Sequence, residues 1–166
     1  MVKLGARLAV FSSLAFLIGC DRATKDVARA DLYAGKTREL VGGLLEFRYV
    51  ENTDVAFNLL RWVPETIRRP GLLIVGAIAV LALALWLVRA RGQPRLRRFA
   101  LVLVMAGAIG NYLDRVLRGY VVDFVHVGHW PVFNVADAYI TVGCLLLALG
   151  SSSYGRGRPA PEQGAG

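Results

Sequence analysis

The sequence predicts an all-α membrane protein, with four transmembrane helices and a small β-sheet on the outer face. Three observations predict it. The 166 residues are 55% hydrophobic. The apolar residues gather in four blocks, 4–20, 71–88, 99–113 and 132–149. The basic residues between the blocks fall on one side of the bilayer. A span takes about 20 mostly apolar residues, so blocks two and four suffice, while one and three draw on flanking interfacial residues.

The formal net charge is +8, and its distribution follows topology. Lys3 and Arg7 open block one, Arg89, Arg91, Arg95, Arg97 and Arg98 separate blocks two and three, and Arg156 and Arg158 follow block four. By the positive-inside rule, both termini and the 89–98 loop are cytoplasmic, and the 21–70 and 114–131 loops face outward. The excess charge is thereby accounted for, and nucleic acid is not an expected partner. Residues 1–150 read as one domain that includes the outward 21–70 loop. Residues 151–166, rich in Gly, Ser and Pro, read as a disordered cytoplasmic tail.

Block one ends in Leu17-Ile18-Gly19-Cys20, which imitates a lipoprotein cleavage site after a basic start. A first transmembrane helix ending in Cys is preferred, because three further spans follow. Next comes Asp21-Arg22-Ala23-Thr24-Lys25. If the helix continues, Asp21 and Lys25 are a turn apart on one face, although an interfacial ion pair would look the same. The 21–70 loop is too long for a connector. Gly42-Gly43, followed by apolar/polar alternation over 45–51, reads as one or two short strands. Asn52-Thr53-Asp54 is turn chemistry when taken alone. Trp62 and residues 64–69 suggest a short amphipathic piece at the membrane surface.

Block three ends in Gly107-Ala108-Ile109-Gly110-Asn111-Tyr112-Leu113-Asp114-Arg115. Its small residues permit close helix contact. Asn111, Asp114 and Arg115 share a face, which suits a lined site better than simple interfacial solvation. Block four carries no disulfide or metal-ligand pattern, and Cys144 reads as a small packing residue.

Asp123 and Asp137 are the most informative residues. An acid inside a membrane protein costs roughly 2.5–3.5 kcal/mol on insertion scales and is usually functional. On one continuous helix the two would lie about 21 Å apart, but Gly128 and Pro131 let the chain turn back. The outer end of helix three and the start of helix four can then bring the acids together. Asn134 can cap helix four, with Asp137 in its first turn, where the helix dipole favours the carboxylate. Asp123 is then expected to hold the proton of a coupled pair. Two close carboxyls cannot both ionise. One takes a proton from water while the other polarises a carbonyl, and no cofactor is required. Asp123, His126 and His129 also form D-x-x-H-x-x-H, a possible zinc set. Gly128 and Pro131 argue against the regular helix that would align it, so no metal is expected.

Together, residues 21–25, 52–57, 107–115, 122–124 and 133–137 resemble the lipoprotein signal peptidases, or signal peptidase II. The resemblance implies a membrane aspartic endopeptidase that cuts prolipoproteins on the amino side of a diacylglyceryl-cysteine and is sensitive to globomycin-type cyclic peptides. It implies Asp123 and Asp137 as the catalytic pair. Asp21, Lys25, Asn52, Asn111, Asp114, Arg115, Asn134 and Ala136 become substrate-binding or site-supporting residues. The expected partners are diacylglyceryl-modified prolipoproteins and membrane lipid. The expected setting is the bacterial plasma (inner) membrane, with the protein a monomer and its site at the periplasmic face. Two positions depart from the family pattern: Asp54 stands where Gly is usual, and Ala106-Gly107 replaces a Gly pair. The rival reading is a small proton-coupled transporter with a buried carboxylate pair. The absence of an inverted repeat and the position of the acids near one face count against it. A membrane scaffold is a weaker third reading.

Overall fold

The computed structural model describes residues 2–33, 35–54, 60 and 62–154. The element order is α1 (Val2–Leu32), β1 (Thr37–Val41), β2 (Leu45–Asn52), α2 (Glu65–Arg89), a 3-10 turn (Ala90–Gly92), α3 (Arg95–Arg118), β3 (Val121–Val127) and α4 (Val135–Tyr154). The chain is mostly helical, with one three-stranded antiparallel sheet in the order β1-β2-β3. By length and composition, Leu4–Leu32, Glu65–Arg89 and Arg95–Arg118 can cross a membrane, and Val135–Gly150 is a shorter apolar helix.

Five sequence-based expectations change. Block one does not stop at Cys20. α1 runs 31 residues to Leu32, because Asp21 and Lys25 pair with each other, Lys25 with α3 and Asp21 with the start of α4, and so keep this stretch packed. The 114–131 segment is not a plain loop. Val121-Val122-Asp123-Phe124-Val125-His126-Val127 is rich in β-branched residues and pairs with β2 as the third strand. Asp123 therefore comes from a strand rather than from a helix end. The amphipathic piece at 64–69 is the first part of α2, entered from Pro64. Cys144 is exposed rather than packed. α4 also continues to Tyr154, four residues into the segment read as tail. Residues 155–166 lie outside the described residues, as do Val55, Ala56 and Phe57 of the 52–57 motif.

β1 and β2 form a hairpin whose three-residue loop is Gly42-Gly43-Leu44, with Gly42 at φ 44° and Gly43 at φ 76°. The Leu44 N–H closes the turn on the Val41 carbonyl, and positive φ at both central residues matches the twist of the flanking strands. Val122 is fully buried, and Phe124 joins it in a cluster with Ala28 and Leu32 of α1. Strand β3 is thereby seated on the C-terminal half of α1.

α3 is the central helix. α1, α2 and α4 all pack on it, and it holds most of the buried helical residues. Contact with α4 depends on small residues: a Cβ at Gly107 would run into the Ala136 carbonyl and the Ile140 side chain. This close approach brings the first turn of α4 against the polar end of α3.

After β3 the chain doubles back. The Trp130 N–H donates to the Val127 carbonyl. Phe133 then bridges Val125 in both directions, at 2.9 and 2.8 Å. That bridge presses residues 133–134 onto β3 immediately before α4 begins.

Candidate active site

The start of α4 is a reciprocal cap. The Asn134 side-chain Oδ1 accepts the Asp137 N–H at 2.9 Å, and Asp137 Oδ2 accepts the Asn134 N–H at 3.2 Å. This is a capping box built from Asn and Asp. The intervening N–H, from Ala136, donates to Asp21 Oδ1 at 2.9 Å. Helix starts leave such donors unsatisfied, and here a carboxylate from α1 accepts one. Ala136 is itself fully buried.

Asn134 links the two acids. Its Nδ2 donates to Asp123 Oδ1 at 2.6 Å, while its backbone and Oδ1 hold Asp137. Asp123 also accepts from Asn52 Nδ2 at 2.9 Å, so the end of β2 does reach the site. Asp137 accepts from Asn111 Nδ2 at 2.8 Å. Each carboxyl thus has an asparagine of its own, and both share Asn134. Asp123 is buried, and Asp137 is half-buried.

Behind the pair lies Lys25, completely buried. Its Nζ is 2.8 Å from Asp21 Oδ2 and 2.9 Å from Asp114 Oδ2. It also donates to Asn111 Oδ1 at 3.0 Å. An ammonium has three protons and no acceptor, so the oxygen of Asn111 must face Lys25. Its amide nitrogen is left to face Asp137. Arg115 spans α3 and the loop after β2, donating to the Asn111 carbonyl at 3.3 Å and to the Asp54 carbonyl at 2.9 Å. Its charge acts on Asp123 and Asp137.

Every site residue proposed from the sequence is drawn into this one network. Sequence reasoning missed Arg118, which pairs with Asp114 at 2.9 Å and also with Asp26. The i,i+4 spacing of Asp114 and Arg118 was the available signal. Asp54, the departure from the family pattern, is buried. Its N–H donates to Asn52 Oδ1, and its carboxylate accepts the Leu60 N–H at 3.2 Å. It closes an Asx turn that fixes the Asn52 amide. The D-x-x-H-x-x-H set is not brought together. Asp123 and His126 are three apart on a strand and point to opposite faces, and His126 faces Glu46 at 3.5 Å.

Comparison with known proteins places this network in a family. The signal peptidase (SPase) II family matches residues 13–152. The chain belongs to the signal peptidase II family. The lipoprotein signal peptidase of Geobacter metallireducens is 39% identical over 133 residues, 78% of this chain and 81% of the relative. That of Brucella ovis is 38% identical over 151 residues, 86% and 91% of the two chains. Two solved bacterial membrane enzymes share the fold. One has a TM-score of 0.81 at 25% identity over 93% of both chains. The other has 0.76 at 26% identity, over 86% of this chain and 92% of that one. Membership favours the peptidase reading over a transporter.

Burial raises the Asp123 carboxyl from 3.8 to about 6. The Asp137 charge pushes the same way, against the Asn52 and Asn134 hydrogen bonds. A carboxyl raised on folding stabilises the fold most below its unfolded value, and that contribution is lost as pH rises through the folded value. Relative to Asp123→Asn, the wild type should therefore lose roughly 3 kcal/mol of stability between about pH 4 and pH 6. Thermal unfolding in detergent across that range measures it, and parallel curves for the two proteins would refute it. Lys25→Met leaves two buried carboxylates without their shared cation and should cost about 3–5 kcal/mol. Arg22→Gln, which removes a half-exposed partner, should cost under about 1 kcal/mol. Equal losses in the same assay would count against this ranking.

Proposed function

We propose that the chain is an aspartic endopeptidase that removes the signal peptide from prolipoproteins on the amino side of the diacylglyceryl-cysteine. The observation that carries this reading is the pair Asp123 and Asp137, joined through Asn134, in a chain of the signal peptidase II family. The remaining polar residues, Asp21, Lys25, Asn52, Asn111, Asp114 and Arg115, position the pair and the substrate.

Asp137, half-buried at a helix start, is the carboxylate. Asp123, buried and raised to about 6, holds the proton in the active form of the pair, which is most populated below that value. A water between them gives a proton to Asp137 as its oxygen attacks the scissile carbonyl, and Asp123 donates its proton to the developing oxyanion. The C–N bond then breaks, the leaving amine takes the proton from Asp137, and collapse of the intermediate returns a proton to Asp123. One proton remains on the pair at the end of the cycle, so no cofactor enters.

In this reading α1 to α4 cross the bacterial inner membrane with both termini cytoplasmic. The sheet and the acids lie at the periplasmic boundary. The exposed indoles of Trp62 and Trp130 suit that boundary on the acid side, and Trp86, stacked under Arg97, suits the opposite one. A groove of about 770 Å³ between α1 and the sheet is lined by Val27, Ala28, Leu32, Phe47 and Phe124. Phe124 and Asp123 are neighbours on a strand and project from opposite faces of the sheet, so this groove lies across β3 from the acids. One chain supplies both carboxyls, so a monomer suffices.

The test is cleavage of a diacylglyceryl prolipoprotein by the purified protein in detergent. Asp123→Asn and Asp137→Asn should each reduce cleavage by at least roughly 10²–10⁴-fold with helical content unchanged. Near-normal cleavage by either folded variant would eliminate the mechanism.

A further inference from the structure

α1 and α2 both lean on α3 but have little contact with each other. At the end of the bundle away from the acids, the space between them is a cleft of about 600 Å³. Along α1, Arg7 is about 21 Å from Asp21. The cleft walls are apolar, formed by Val10, Leu14, Ala84, Leu87 and Met105, and its mouth carries Arg7 and Arg98. A smaller cleft of about 250 Å³ between α1 and α3 is also bordered by Arg98. One arginine therefore stands between two apolar clefts. Among the described residues, neither Arg7 nor Arg98 has an acidic partner.

We propose that these clefts form a binding site for an anionic phospholipid, with the phosphate on Arg7 and Arg98 and an acyl chain in each cleft. Guanidinium groups match phosphate oxygens in geometry as well as charge. Basic pockets between helices at a membrane boundary suit anionic headgroups. A signal peptide would fit the same apolar walls poorly. Its basic leading segment would meet two arginines at the mouth, and the charges would repel.

Native mass spectrometry of the delipidated full-length chain tests this, using phosphatidylglycerol and phosphatidylcholine with identical acyl chains. Phosphatidylglycerol should bind about tenfold or more tightly. The double variant Arg7→Gln/Arg98→Gln should bind the two lipids alike. Arg89→Gln/Arg97→Gln removes equal charge outside the clefts and should keep the preference. Ala84→Phe, which fills the larger cleft without changing charge, should weaken phosphatidylglycerol binding. Equal affinity for the two lipids in the wild type would overturn the proposal. So would equal losses from both double variants, displacement by glycerol phosphate lacking acyl chains, or competition by a synthetic signal peptide.

Discussion

Lys25 places a positive charge where its side chain has no exposure to solvent, between Asp21, Asp114 and Asn111. A buried ammonium costs several kcal/mol unless each proton is taken, and here three acceptors take the three protons. Two carboxylates around one ammonium leave a negative excess, which Arg118 offsets from the next turn of α3. Asp21 uses its second oxygen on the first turn of α4. The cation thus ties together α1, α3 and α4, and the three helices cannot shift independently without stranding a charge.

The same cation sets the chemistry at a distance. Because Lys25 claims the oxygen of Asn111, the nitrogen of that amide faces Asp137. Asn52 is fixed in the same way, since the Asp54 N–H claims its oxygen and its nitrogen faces Asp123. Asn134 is oriented by the Asp137 N–H and reaches Asp123 with its nitrogen. Three amides with determined faces hold two carboxyls in unlike surroundings, one buried on a strand and one half-buried at a helix start. Unlike surroundings push titrations apart, which is what an acid and base division requires.

Much of this was legible because membrane sequences place polar groups sparingly. Asp21, Lys25, Asn111, Asp114, Asp123 and Asp137 stand out among apolar neighbours, and the Asn134 cap follows from spacing alone. The strand character of 121–127 was harder to read. Its pattern of valines around Asp123 fits a helix end or a buried strand equally well, and only pairing with β2 decides. The length of α1 was concealed for a related reason. Its C-terminal third is polar in sequence, yet Asp21, Lys25, Ala28 and Leu32 form a buried face, because the charges of Asp21 and Lys25 are satisfied by each other and by α3 and α4 rather than by water. Asp54 looked like a departure from the pattern, and its carboxylate and amide turn out to brace the loop that carries Asn52.

The central claim concerns a single proton held between residues 123 and 137. A neutron structure of the protein in a lipid phase near pH 5, below the value of about 6 to which burial raises Asp123, examines it most directly. The two carboxyls should face each other across one water, with one proton on the pair, carried by Asp123. Two fully ionised carboxylates, or oxygens too far apart for one water to touch both, would contradict it.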